Sequence, residues 1–339
     1  MKHISFPDIQ QFRNVRKQVE YMTRIVGKDE AGEPIFDPSK PLPVMKFRGT
    51  EKLHGTSSAI LTDGVDTWAQ SRERIVSIGS DNAGFAFFIS TLGDSLKKLF
   101  DSVPTAPVPD PQDNIIGIFG EWCGGNIQAG VAINGLPKMF VVFAVLYKGV
   151  WLEDFSSVKV PEAQIFNIND FATFEIEIDF EKPEGPVEKM EQMVSFVEGR
   201  SPVGVAFGRE GVGEGIVWKP VGELSGNTRL WFKTKGEKHA VVKTKRVIEV
   251  DVQKQASVAD FVTRTVTEAR LKQGVEVLHR NGVTIIDQTQ IGPFLKWVVG
   301  DIHKEESDVM KASGLEPKDV NGAISRVARE WLMKNELRY

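Results

Sequence analysis

The segment Thr50-Glu51-Lys52-Leu53-His54-Gly55-Thr56 places a lysine three residues before a glycine. Two later segments, Glu214-Gly215-Ile216-Val217-Trp218-Lys219 and Trp231-Phe232-Lys233-Thr234-Lys235, add a carboxylate and further amines. Together they suggest an amine that carries a nucleotide. Glycine has no Cβ, so backbone beside the amine can come close to a phosphate. A lysine amine has an ordinary pKa of about 10.4 and is protonated near neutral pH, which blocks nucleophilic attack. Neighbouring cations disfavour its charge and activate it. Lys233 and Lys235 alternate on one strand and share a face, and Arg72, twenty residues after Lys52 and just past the hairpin, adds a third cation. The expectation is therefore an uncharged Lys52 held among cations that also grip phosphates. Glu214 supplies hard oxygen for a metal ion. Glu121, ending a strand before a Gly-rich bend, suits a sugar hydroxyl.

Elements must bring these residues together. Val44 to Phe47, Ile115 to Glu121, Met139 to Tyr147, Gly215 to Lys219 and Leu230 to Lys235 read as strands from their β-branched and aromatic content. Ala59 to Leu61, Asp63-Gly64 and Thr67 to Gln70 read as a hairpin directly after the lysine turn. Phe85, Phe88, Leu92, Leu96 and Leu99 recur at helical spacing. Gly27 to Pro43 reads as a loop, and Pro104, Pro107, Pro109 and Pro111 as a stiff linker. Past about Val250 the pattern turns helical. Ser257 and Thr289 are expected to cap helices carrying Phe261, Val262 and Ala269, and Phe294, Leu295 and Trp297 to Val299, while Pro317 opens a third with Ile324, Val327, Trp331 and Leu332.

Composition bounds the class. At 339 residues, 41% hydrophobic and 26% charged, the chain is long enough for two domains of ordinary globular composition. The longest apolar run, Met139 to Tyr147, falls well short of the roughly 18 residues of a membrane span. Asp8, Gln10 and Arg13 leave no apolar leader at the start, and the lone Cys123 fits a reducing compartment, so a cytoplasmic protein is expected. The net charge is −4, but Lys219 to Lys254 holds nine basic and four acidic residues, and Asp170 to Glu198 nine acidic and two basic. A mildly acidic chain can thus present a cationic face to a polyanion.

Lys52-Leu53-His54-Gly55, Arg72, Phe119-Gly120-Glu121, Phe143, Glu214 to Lys219 and Lys233-Thr234-Lys235 occur in the order of the covalent nucleotidyltransferase superfamily. The Glu-Lys-x-His-Gly-Thr form most resembles the nick-sealing RNA ligase 2 family of bacteriophages. The resemblance spans about Val44 to Lys235. It implies an α+β fold: an antiparallel-sheet nucleotidyltransferase domain, of ATP-grasp-like adenylation type, over residues 1–250, then a small all-helical domain over 251–339. It implies ATP as substrate, AMP carried on Lys52, magnesium or manganese held by Glu214, and RNA ends as partners of a monomer. Catalysis would fall to Lys52, His54, Lys233 and Lys235. Nucleotide contacts would involve Glu51, Lys52, Gly55, Arg72, Glu121, Phe143, Glu214, Lys233 and Lys235, with Phe143 stacking on adenine and Glu121 on the ribose. Relatives commonly place an acid after the stacking aromatic. Here Ala144 follows Phe143, which keeps Phe140 as the alternative. A DNA ligase or capping guanylyltransferase, and a non-catalytic RNA-binding protein, are the competing readings; the helical tail, in place of a β-barrel, favours RNA ligation.

Overall fold

The computed structural model describes residues 1–30, 32–108, 114–235, 258–312 and 315–336. The chain divides into two compact units, residues 1–236 and 237–339. The first carries strands β1 (Gln10–Gln11), β2 (Ile25–Lys28), β3 (Pro34–Phe36), β4 (Val44–Lys52), β5 (Thr56–Thr62), β6 (Thr67–Ser71), β7 (Ile75–Val76), β8 (Ile116–Cys123), β9 (Met139–Tyr147), β10 (Val150–Trp151), β11 (Ile165–Asn167), β12 (Thr173–Asp179), β13 (Gly215–Pro220) and β14 (Phe232–Lys235). Its helices are α1 (Phe12–Arg24), α2 (Phe85–Ser90), α3 (Asp94–Asp101), α4 (Glu184–Gly199) and α5 (Pro202–Ala206). The second unit carries α6 (Val258–Thr265), α7 (Glu268–Arg280), α8 (Ile291–Ala312) and α9 (Pro317–Asn335).

Two largely antiparallel sheets make the first unit. One runs in the order β1-β14-β13-β4-β12; the other runs β10-β9-β8-β5-β6-β7, with β11 added parallel to β9. In the first sheet, Phe47, Trp218, Phe232, Ile176 and Ile178 turn to one face and bury against Val15 and Val19 of α1 and Met190, Val194 and Val197 of α4. The period of two then sends the alternate residues to the other face. Register places Lys52 opposite Gly215, Thr50 opposite Val217 and Arg48 opposite Lys219, with Lys235 beside Gly215 and Lys233 beside Val217. That face is the cationic one. The second sheet buries Ile60, Ile118, Phe140 and Val142 against α2 and α3, and Ala59, Leu61, Phe119 and Trp68 in a smaller cluster with Trp231 and the N-terminal Phe6.

Several elements depart from the pattern in the sequence. The strand begun at Val44 runs on to Lys52, so the lysine closes a strand and the turn follows it. The period through Phe85 to Leu99 splits into α2 and α3 at Gly93, whose φ of 50° suits glycine. The stretch Gly27 to Pro43 contains the small pairing of β2 with β3. Helix α1 is masked in the sequence because only Val15 and Val19 are buried among charged neighbours. Helix α8 starts at Ile291, and Thr289 instead sits in a short turn whose N–H donates to Asp287. Pro317 does open α9, after a capping box formed by Glu316 and Asp319. Ser257, Pro109 and Pro111, and the expected boundary at residue 250, lie outside the described residues.

The second unit packs Phe261, Leu271, Phe294, Val298, Ile324 and Leu332 around one core. Arg270 is fully buried there. Its guanidinium donates to Asp301 at 2.8 Å, Glu306 at 3.4 Å and the Thr265 carbonyl at 2.6 Å, so the buried charge is satisfied on every side.

Candidate active site

Lys52 ends β4 on the cationic face, and the short connection from β4 to β5 carries His54 and Gly55 beside it. A Cβ on Gly55 would lie 2.5 Å from the Trp122 carbonyl oxygen and 2.7 Å from Cys123 Cβ. The glycine is therefore required by the close approach of β8. The Gly55 N–H donates to Glu121 Oε1 at 2.9 Å, and Gln128 Nε2, buried, donates to the Gly55 carbonyl at 3.2 Å. These two bonds fix the turn that follows the lysine.

Glu214 is the centre of charge. Its Oε2 accepts from Lys52 Nζ at 2.7 Å and lies 3.4 Å from His54 Nδ1, while Oε1 lies 3.0 Å from Lys235 Nζ. The carboxylate is 3% exposed, so these pairs act in a medium that screens them weakly. Gly215 makes the meeting possible: a Cβ there would strike the Thr234 carbonyl oxygen at 2.2 Å. Strands β13 and β14 can then bring Glu214 and Lys235 into contact.

Electrostatics reverse one expectation. Burial lowers the Lys52 pKa, but the Glu214 and Glu121 carboxylates outweigh it and hold the amine above its ordinary value; Arg72 contributes a smaller opposing push. Lys52 is thus held as an ammonium, not the uncharged amine expected from its cationic neighbours. A carboxylate at contact distance, with a second acid adding to it, outweighs the cation. For Glu214, burial raises the pKa, yet Lys52, Lys235 and His54 bring it well below the usual carboxylate range. Glu121 goes the other way: burial pushes it up to about 7, against Lys52 and with the help of the Glu214 charge.

The remaining expected residues spread around this centre. Lys233 shares the face through its register with Val217. Arg72 follows β6 and pairs with Asp8 at 2.5 Å, half exposed. Phe143 is partly buried, with its ring 5.1 Å from Phe6 in an edge-on arrangement. Phe140 is fully buried and packs on Phe85 at 5.1 Å, so it offers no face to a ligand. Glu51 points to the opposite face from Lys52. Its oxygens accept from Ser201 Oγ at 2.6 Å and from the Val203 N–H at 2.8 Å, pinning the start of α5 to β4, and burial pushes its pKa up to about 7. The Glu51 carboxylate is thus engaged on the face away from Lys52.

Sequence patterning did not single out Gln128, Ser201, Phe6 or Asp8. Each lies in a loop, cap or terminal segment with no periodic signal, and each acts through a partner distant in sequence.

Among the described residues no group of three or more His, Cys, Asp or Glu side chains forms a metal site. Glu214 and Glu121 nevertheless provide oxygens of the hardness that magnesium or manganese prefers, and such an ion commonly takes only one or two protein carboxylates. The donor set fits such an ion. No helix among the described residues is long and apolar enough to cross a membrane.

A family model described as RNA ligase matches residues 45–235. No curated protein matches the chain. Among solved structures, a Naegleria gruberi RNA ligase mutant with ATP and Mn aligns at 16% identity and a TM-score of 0.43, and a mutant with AMP and Mn at the same values. The same ligase with PPi aligns at 15% and 0.42. Each alignment covers 69% of this chain and 56% of the other. This chain thus spans little more than half the length of those ligases.

Proposed function

The chain belongs to the RNA ligase family, and from that premise we propose that it is an ATP-dependent RNA ligase that joins a 3′-hydroxyl to a 5′-phosphate through AMP carried on Lys52, with nick sealing in the manner of the RNA ligase 2 group. The observation that carries the reading is the Glu214 carboxylate gripped at once by Lys52 and Lys235. Nucleophile, metal-seeking carboxylate and phosphate-seeking amine meet at one point.

Attack requires that Lys52 leave its contact with Glu214 and lose a proton. Nζ then forms a bond to the α-phosphorus of ATP as the bond from that phosphorus to the pyrophosphate oxygen breaks. Lys233, Lys235 and Arg72 neutralise the phosphates, Phe143 stacks on the base and Glu121 takes a ribose hydroxyl. Positioned cations of this kind carry most of the rate in phosphoryl-type transfers. A magnesium or manganese ion, held through Glu214 with Glu121 nearby, would supply further charge neutralisation at the phosphates. AMP next passes to the 5′-phosphate of an RNA end, and a 3′-hydroxyl displaces it to close the strand. The helical second unit is proposed to engage the duplex.

The test is incubation with α-labelled ATP and magnesium. A covalent AMP adduct that Lys52→Ala abolishes supports the reading, and a wild-type protein that forms none rejects it. Strand joining on matched RNA and DNA nicks, with GTP as competitor, separates RNA ligation from DNA ligation and capping.

A further inference from the structure

Lys219 has no part in the steps above, yet it lies half-buried on the face that carries Lys52. Its Nζ donates to the Phe143 carbonyl at 2.7 Å and lies 4.1 Å from the centroid of the Trp231 ring and 5.4 Å from that of Phe155. It makes no ion pair with any described residue. Burial alone pushes its pKa down to about 7. An ammonium partly withdrawn from water and without a counter-ion costs free energy that an apolar side chain of similar length would not. Stability therefore gives no reason for a lysine at this position.

What the ammonium touches supplies one. Strand β9 pairs with β8 in regular register until Ala144 opposite Phe119, and resumes with Val142 opposite Gly120. Phe143 is the extra residue of that β-bulge. Bulges interrupt the ladder and re-aim a side chain, often beside active sites. A carbonyl where the ladder is interrupted needs a hydrogen-bond donor. Lys219, from the opposite sheet, provides it. The next residue, Ala144, has no carboxylate that could pair with the ammonium, so the backbone carbonyl and two aromatic faces hold the charge instead.

The geometry points to Lys219 as a positioning residue that clamps the β9 bulge from across the cleft and thereby sets the Phe143 ring in the attitude needed to stack on the nucleotide base. The inference rests on the reading that Phe143 stacks on adenine. It adds that the base-stacking surface is held by a contact between the two sheets.

Lys219→Met keeps stem length and removes the donor. The expected result is a rise of tenfold or more in the ATP KM for lysyl-AMP formation, with kcat within about threefold and the melting temperature unchanged or higher. In the double variant with Phe143→Leu, the KM should be no worse than in Phe143→Leu alone, because both changes remove one function. Amide hydrogen exchange over residues 140–146 should quicken at least tenfold in Lys219→Met while that of β5 and β12 stays as in wild type. Should Lys219→Met not fold, Lys219→Gln carries the same measurements. Unaltered exchange at the bulge, an unchanged KM or additive losses in the double variant would each overturn the proposal. A wild-type protein that makes no adduct sinks the ligase reading alone, since the exchange comparison still decides the clamp.

Discussion

Glu214 Oε2 lies 2.7 Å from Lys52 Nζ while the other oxygen of the same carboxylate lies 3.0 Å from Lys235 Nζ. One buried anion thus holds the proposed nucleophile and a proposed phosphate ligand together, and it favours the protonated form of the nucleophile. Glu214→Gln should separate these effects. The Lys52 pKa falls without the carboxylate, so labelling of Lys52 by a neutral amine-reactive reagent at pH 8 should increase. Lysyl-AMP formation should nonetheless fall by about a hundredfold or more, the scale seen when a positioned electrostatic group is removed. Mass spectrometry of the labelled peptide and the radiolabelled adduct measure the two. A variant that gains both labelling and adduct formation would contradict this account.

The pH dependence of adenylylation follows from the same pair. Lys52 must lose a proton to attack, and its pKa in the free protein is raised above the ordinary 10.5 by Glu214 and Glu121, which outweigh burial. Because kcat/KM reports the free enzyme, kcat/KM for adduct formation should keep climbing from pH 7 to pH 9 without a plateau. A flat profile across that range would show that the amine is already neutral.

Glu51 should matter through packing. Glu51→Ala would leave the Ser201 hydroxyl and the Val203 N–H unsatisfied beside a cavity, a loss of about 2–4 kcal/mol. Glu51→Gln keeps volume and one acceptor and should lose about 1 kcal/mol or less at pH 5. With a folded pKa of about 7 against 4.5 unfolded, the native state binds more protons in that window, so stability falls as pH rises from 4.5 to 7. Glu121 adds a slope of the same sign. Urea titrations across that range should show a shallower fall in Glu51→Gln than in wild type.

Gly55→Ala tests the turn. The new methyl group would meet the Trp122 carbonyl oxygen at 2.5 Å and Cys123 Cβ at 2.7 Å, and both belong to β8, whose backbone leaves little room to yield. Overpacking of this kind costs about 1–3 kcal/mol. It also pushes Gly55 away from Glu121, so adduct formation should drop more steeply than thermal stability. An alanine variant with wild-type adduct yield would show the turn to be tolerant.

Arg72 pairs with Asp8 at the surface, and such half-exposed pairs contribute about 0–1 kcal/mol. Arg72→Ala should therefore leave the melting temperature within a few degrees of wild type. If Arg72 grips a phosphate, the ATP KM should rise about tenfold. Thermal melts and adduct kinetics on the same preparation decide between a structural and a substrate-binding arginine.

The sequence by itself determined which chemistry was available and on what kind of element. Lys52, Glu214, Lys233 and Lys235 stand in an order that puts Lys52 at a turn, Glu214 at the start of a strand and the two later lysines on another, and a period of two then puts Lys233 and Lys235 on one face whatever else the chain does. The strand Met139 to Tyr147, the hairpin at Asp63-Gly64 and the helix opened by Pro317 were legible for similar local reasons: side-chain period, turn residues and caps act within a few residues. Tertiary structure decided what lay across long sequence separations. It set Glu214 against Lys52, which made the amine an ammonium, because contact between charges outweighs more distant like charges. It turned Glu51 away to Ser201, buried Phe140, and placed the β9 bulge so that Phe143 projects from it and Lys219 reaches its carbonyl. None of these could be read along the chain, since pKa and hydrogen-bond partners depend on distances that only strand register and the meeting of two sheets establish.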